Sequence, residues 1–145
     1  MAEYITTTDQ NVALNQPIPF NRVAVPCARG SIIPIASGEI ILRGGMRYEA
    51  VLQANVEVPE GGAVTAVALA IAVNGVALPE SVAIFTPQAV LEYGHIHTAV
   101  TINVPNGCCV SVSGLYVDGT TDDAATTPTP LVTVRRDASL SIRPL

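Results

Sequence analysis

An all-β fold, an antiparallel sandwich of jelly-roll type, is what this sequence predicts, on three observations. Apolar and polar residues alternate with a period of two over long stretches, the spacing that turns one strand face inward and the other to water. The alternating runs are short and are separated at regular intervals by Gly, Pro and Asn, as in sandwiches and barrels. No stretch sorts its apolar residues at helical spacing, and the terminal segments of the domain read as strands, which lets the first and the last pair in one sheet.

Taken in order, residues 1–10 are polar and are expected to be an N-terminal arm preceding a single domain over 11–145. Asn11 to Phe20 is apolar but carries Pro17 and Pro19, which suits a sheet edge. Val23 and Val25 begin a short strand ended by Pro26; Ser31 to Ile35 and Glu39 to Leu42 are others, with Gly44-Gly45 turning the chain into the longest run. There Met46, Tyr48, Ala50, Leu52, Ala54, Val56 and Val58 alternate with Arg47, Glu49, Val51, Gln53, Asn55 and Glu57, a half-buried strand. Beyond Pro59 to Gly62, the set Thr65, Val67, Leu69, Ile71 and Val73 alternates with Val64, Ala66, Ala68, Ala70 and Ala72. One face is large and the other nearly all alanine, so this strand is expected to be buried on both sides. Asn74-Gly75 is the strongest hairpin signal, because both residues tolerate the positive φ of a tight turn.

Ser81 to Phe85 is a further short strand, and Gln88 to Tyr93 is one helical turn or an irregular loop. Alternation returns with Ile96, Thr98, Val100, Ile102 and Val104 against His95, His97, Ala99, Thr101 and Asn103. Pro105-Asn106-Gly107 is expected to close a second hairpin into Cys108 to Val117. Residues 118–130 form a polar loop, and Leu131 to Val134 and Ser139 to Ile142 close the chain as strands. The pattern places Tyr48, Leu52, Val56, Leu69, Ile71, Val100, Ile102, Val110, Val112 and Leu140 in the core.

Composition narrows the function. At 145 residues the chain is long enough for one hydrophobic core without staples. With 49% hydrophobic and 13% charged residues and a mean hydropathy of +0.43, it holds more apolar surface than a monomer readily hides. Net charge is −5 and lysine is absent, so there is no basic stripe for nucleic acid; only Arg135 and Arg136 are adjacent. Lysine-free strands also lack a common device for blunting sheet edges, which points to edges covered by closure or by partner subunits. No run is long enough for a membrane helix, and the opening residues are acidic and polar, unlike a signal peptide. Cys27, Cys108 and Cys109 follow no zinc or redox spacing; they are three reduced thiols packed as small hydrophobes, or Cys27 bridges to one of the pair.

Several of these motifs occur together in a known arrangement. Gly38-Glu39-Ile40-Ile41-Leu42 with Gly45-Met46-Arg47-Tyr48, then Leu69 to Gly75, then Val104-Pro105-Asn106-Gly107-Cys108-Cys109-Val110-Ser111-Val112, and finally Ala138 to Ile142, resemble the globular heads of complement and tumour necrosis factor type. The resemblance spans Asn11 to Leu145. The chain also resembles small stand-alone phage and prophage proteins of gut bacteria, through its opening Met1 to Thr7 and the Cys108-Cys109 pair. What the resemblance implies is a TNF-like jelly roll assembling as a homotrimer. It further implies a non-enzymatic structural role in a phage virion, as capsid decoration or a head or tail fibre module, with other virion proteins such as the major capsid protein as partners. A trimeric adhesin or receptor-binding head is the alternative. In the eukaryotic heads the strand after the tyrosine carries aromatics around the three-fold axis; Ala50, Leu52 and Ala54 stand there in this sequence, so an aliphatic axis is expected. The trimer interface is expected at Ala66, Ala68, Ala70 and Ala72, whose small side chains let sheets approach closely, together with Tyr116.

Reactive chemistry is sparse. His95 and His97 share a strand face, and three symmetry copies of either would give a three-nitrogen metal site, but no acidic or thiol partner is adjacent and a polar surface is the simpler reading. Asp118, Asp122 and Asp123 carry the oxygens calcium takes, a role the resemblance implies near the apex of such heads; their spacing matches no EF-hand, and a solvated loop is expected. No Gly-x-Ser-x-Gly elbow or other nucleophile frame is present, so neither catalysis nor a cofactor is expected. Sugar binding favours exposed aromatics, for which Tyr93 and Tyr116 are the only candidates, and each fits an interface or core better.

Overall fold

Ala2, Tyr4 and Thr6 are buried while Glu3 and Ile5 are only partly covered, the alternation of a strand in sheet, and Ala2–Ile5 is indeed strand β1. This computed structural model describes residues 1–27, 32–34, 39–107, 109–119 and 128–145. The expected arm over 1–10 is therefore corrected: β1 lies between β3 (Arg22–Val25) and the final strand β13 (Ser139–Pro144), with Ala2 opposite Ile142 and Glu3 opposite Val25. β2 (Gln10–Ala13) begins inside the same segment. Thr6 fastens the turn after β1, its N–H donating to Ala138 O at 3.0 Å and its carbonyl accepting from Asp137 N at 2.8 Å.

The remaining strands are β4 (Ile32–Pro34), β5 (Ile40–Leu42), β6 (Met46–Glu57), β7 (Val67–Val73), β8 (Val76–Ala77), β9 (Ala83–Phe85), β10 (Gly94–Val104), β11 (Val110–Asp118) and β12 (Leu131–Val134). They form two antiparallel sheets. The larger runs β2-β12-β6-β13-β1-β3 with β10 on the other side of β6; the smaller runs β4-β5-β11-β7-β8 with β9 also on β7. One flank of β6 serves two partners, β13 along residues 48–53 and β12 at 56–57. Segment 15–18 follows β2 out of the larger sheet and continues the edge of the smaller one, Ile18 N donating to Gly114 O at 2.8 Å and Asn15 N to Tyr116 O at 2.8 Å. The apolar sets of β6 and β7 meet between the sheets in one cluster that includes Tyr48, Leu52, Val56, Leu69, Ile71 and Leu140. Of the ten core positions read from the pattern, all are buried except Val110, which is half-buried and packs against the cluster.

The Asn74-Gly75 turn has φ of 53° and 80° and joins β7 to β8, as two-residue hairpins of this type require. The second expected hairpin is not one. β10 pairs with β6 in the larger sheet and β11 with β5 and β7 in the smaller, so Pro105-Asn106-Gly107 carries the chain across the sandwich. Gly45, at φ 81°, does the same from β5 to β6, and its N–H donates to Val104 O at 2.9 Å, tying the two crossings together. Within 65–73 the strand starts only at Val67. Residues 88–93 form no helix; the one helical turn described is the three-residue 3-10 turn Pro79–Ser81.

Candidate functional site

The alanine face is the first sequence-derived site to test against this arrangement. Ala68, Ala70 and Ala72 have no exposed surface within a single chain, and neither does Tyr116, whose hydroxyl donates to Thr129 O at 2.6 Å. Ala66 lies before β7 and is half-buried. Four of the five expected interface residues thus have nothing to offer a second copy, and the interface assignment is corrected: the strand is buried on both sides by its own chain. Ala50, Leu52 and Ala54 likewise point between the sheets rather than toward an axis.

His95 and His97 are exposed on the outer face of β10. His95 Nδ1 lies 3.1 Å from Asn55 Oδ1, and His97 stands opposite Gln53. Among the described residues no three His, Cys, Asp or Glu side chains are placed to hold a metal. Asp118 is exposed at the end of β11, where its carboxylate adds to the effect of burial in pushing the Tyr116 phenol up to about 12; Asp122 and Asp123 lie outside the described residues. Cys27 is half-buried against the core and Cys109 is exposed, while Cys108 lies outside the described residues.

What the sheets bring together is the outer face of the larger one. Register aligns Ala99, Val51, Ser141 and Glu3 in one row across β10, β6, β13 and β1, and His97, Gln53, Ser139 and Ile5 in the next. On the other side of the first row come Thr101, Glu49 and Arg143, with Glu49 Oε1 and Arg143 Nε 3.0 Å apart. A depression of about 290 Å³ lined by Met1, Val51, Ser141 and the Glu49–Arg143 pair opens here. The centre of this face is small and uncharged, and its one close ion pair cancels itself. Sequence reading missed it because it looked for apolar runs; the available signal was Val51 and Ala99 occurring within otherwise polar alternating sets.

No family model and no curated protein matches this chain. Solved structures do. The globular domain of zebrafish complement 1qA is 12% identical with a TM-score of 0.64 over 97% of this chain and 92% of that one. The Eiger TNF of S. frugiperda is 9% identical with a TM-score of 0.66 over 99% of this chain and 90% of that one. At such identities what is shared is the fold, and this chain is an antiparallel jelly-roll sandwich of tumour necrosis factor type.

Proposed function

We propose that this chain is a non-enzymatic structural protein that assembles as a homotrimer through the outer face of its larger sheet and serves in a phage virion, as capsid decoration or a head or tail fibre module. The reading rests on one observation above all, the uncharged row segment Ala99, Val51, Ser141 at the centre of that face, with charge only at Glu3 on its end and in the Glu49–Arg143 pair beside it. An antiparallel sheet facing water normally carries a charged, polar outer face; one whose centre is made of small, uncharged side chains favours close packing against another sheet. The threefold number and the virion setting come from the sequence resemblance, with other virion proteins such as the major capsid protein as partners and assembly in the host cytoplasm. With β1 held in the sheet, residues 2–5 do not serve as a loose arm for attachment to a particle. The adhesin or receptor-binding reading stays in view for one reason, an exposed tyrosine beside an arginine, taken up below.

An interface of this kind buries roughly 2,000 Å² or more in total and is held mainly by apolar and small-residue packing. Light scattering should give three times 15.0 kDa in both low and high salt, since screening weakens only the electrostatic part. Ala99→Arg, on the exposed face and away from the core, should give a folded monomer. A wild-type monomer in both salts would overturn the assembly. Mass spectrometry of purified particles tests the setting: absence from particles, with the protein found only on cell envelopes, would favour the adhesin.

A further inference from the structure

At the β2–β12 end of the same outer face the side chains change character. Asn11, Thr133 and Glu57 form one row across β2, β12 and β6, and Tyr93 directly precedes β10, whose Gly94 stands opposite Val56, so it arrives beside Glu57. In the next row Arg135 donates its backbone N–H to Asn55 O at 2.8 Å and His95 meets Asn55. The Arg135 guanidinium carbon lies 5.2 Å from the centre of the Tyr93 ring. Its Nη1 is 3.5 Å from Glu57 Oε1 and its Nε is 4.0 Å from Asp9 Oδ1. Asp9 Oδ1 also accepts from Arg136 N at 2.8 Å. A depression of about 380 Å³ lined by Thr7, Thr8, Asp9, Arg135 and Arg136 adjoins, within the range of small-ligand pockets.

Three features set this cluster apart from an ordinary surface ion pair. Tyr93 is 60% exposed, the only one of the chain's six aromatic side chains left in solvent. The Arg135 contacts are longer than the 2.7–2.9 Å of saturated charge-assisted hydrogen bonds, so its fork keeps donor capacity although Glu57 is only 8% exposed. Formal charge also balances here, Arg135 and Arg136 against Asp9 and Glu57, in a chain of net −5. A charged ligand gains no net electrostatic attraction from such a balanced site. A neutral one rich in hydroxyls gains twice, because each hydroxyl can donate to a carboxylate and accept from a guanidinium, while an apolar C–H face can cover the aromatic ring.

We propose that Tyr93, Arg135, Glu57 and Asp9 form a binding site for a neutral saccharide. One sugar ring stacks on the face of Tyr93 that Arg135 leaves open, and hydroxyls of an adjoining ring reach around the ring edge to Arg135 and its two carboxylates. The site is built within one chain and lies six residues along β6 from Val51, about 20 Å at strand rise, so it does not depend on the trimer; a monomeric Ala99→Arg protein should bind equally well.

A printed array of neutral and sialylated glycans, followed by saturation-transfer NMR with the methyl glycosides of the neutral hits, tests it. Neutral glycans should bind, with little dependence on salt. Tyr93→Ala should weaken binding at least about tenfold with an unchanged melting curve, Tyr93→Phe should retain it, and Arg135→Lys, which keeps the charge but loses the planar fork, should weaken it. In the wild-type protein the sugar C–H protons should show contacts to the Tyr93 ring, a readout independent of any variant's folding. Binding of sialylated glycans alone, no binding across the neutral panel, or neutral binding undisturbed by Tyr93→Ala without ring contacts would each overturn the proposal.

Discussion

Ser81 holds a gap that no strand fills. β7 pairs with β9 at residues 67–69 and with β8 at 72–73, which leaves Ile71 between partners. The buried Ser81 hydroxyl accepts from Ile71 N at 2.9 Å, and its proton reaches Leu78 O at 2.7 Å or Ile71 O at 3.1 Å. Ser81→Ala leaves the Ile71 N–H unsatisfied in the interior and should cost about 1–3 kcal/mol, read as a lower denaturant midpoint with an unchanged slope. The tyrosines respond to pH by a related cost. Burial, with a smaller contribution from Cys27, pushes Tyr4 up to about 12 from 10.0, and burial with Asp118 does the same for Tyr116. A raised folded value means that the unfolded chain loses these protons first. Stability from this source is thus complete below pH about 10 and declines as pH rises toward about 12. Phenolate absorbance should rise with the unfolding transition for these residues, whereas early titration of all four tyrosines in folded protein would contradict their burial.

β1 shows how an element can be decisive while its sequence looks like a tail. It contributes Ala2 and Tyr4 to the core and separates β13 from β3, so deleting residues 1–5 would unpair β13 along one edge and strand β3. Such a truncation should melt well below the full chain or fail to fold, and an unaltered melting temperature would restore the arm reading. The crossing at 105–107 makes the complementary point. Its residues specify a tight turn, and Gly107 has φ 95°, yet the strands that it joins enter different sheets.

Across the whole molecule the first strand pairs with the last, Ala2 with Ile142 and Ile5 with Ser139, and the larger sheet is assembled from segments drawn from the full length of the chain. Loop-closure entropy must be overcome before such contacts form, so refolding should take milliseconds to seconds, as in other sandwiches of non-local topology. Removing residues 139–145 deletes the strand that connects β6 to β1, and the product should show no cooperative thermal transition by circular dichroism. Microsecond refolding, or a cooperative truncated chain, would contradict this dependence on the closing strand.

Sequence alone determined what each residue needs: alternation at Met46 to Val58 and His95 to Val104 reported one face dry and one wet, the alanine and aliphatic sets of Val67–Val73 reported two dry faces, and Asn74-Gly75 reported two positive φ values. These are properties of a residue and its immediate neighbours along the chain. Tertiary structure decided what meets each face: that β10 and β11 part into separate sheets, that Ala68, Ala70 and Ala72 are covered within their own chain rather than by a neighbour, and that Asp9, Glu57, Tyr93 and Arg135 come together. The physical reason is that a period of two records whether a side chain lies against protein or water but carries no label for which distant segment supplies the protein, because that choice is made by pairing and packing between strands far apart in sequence.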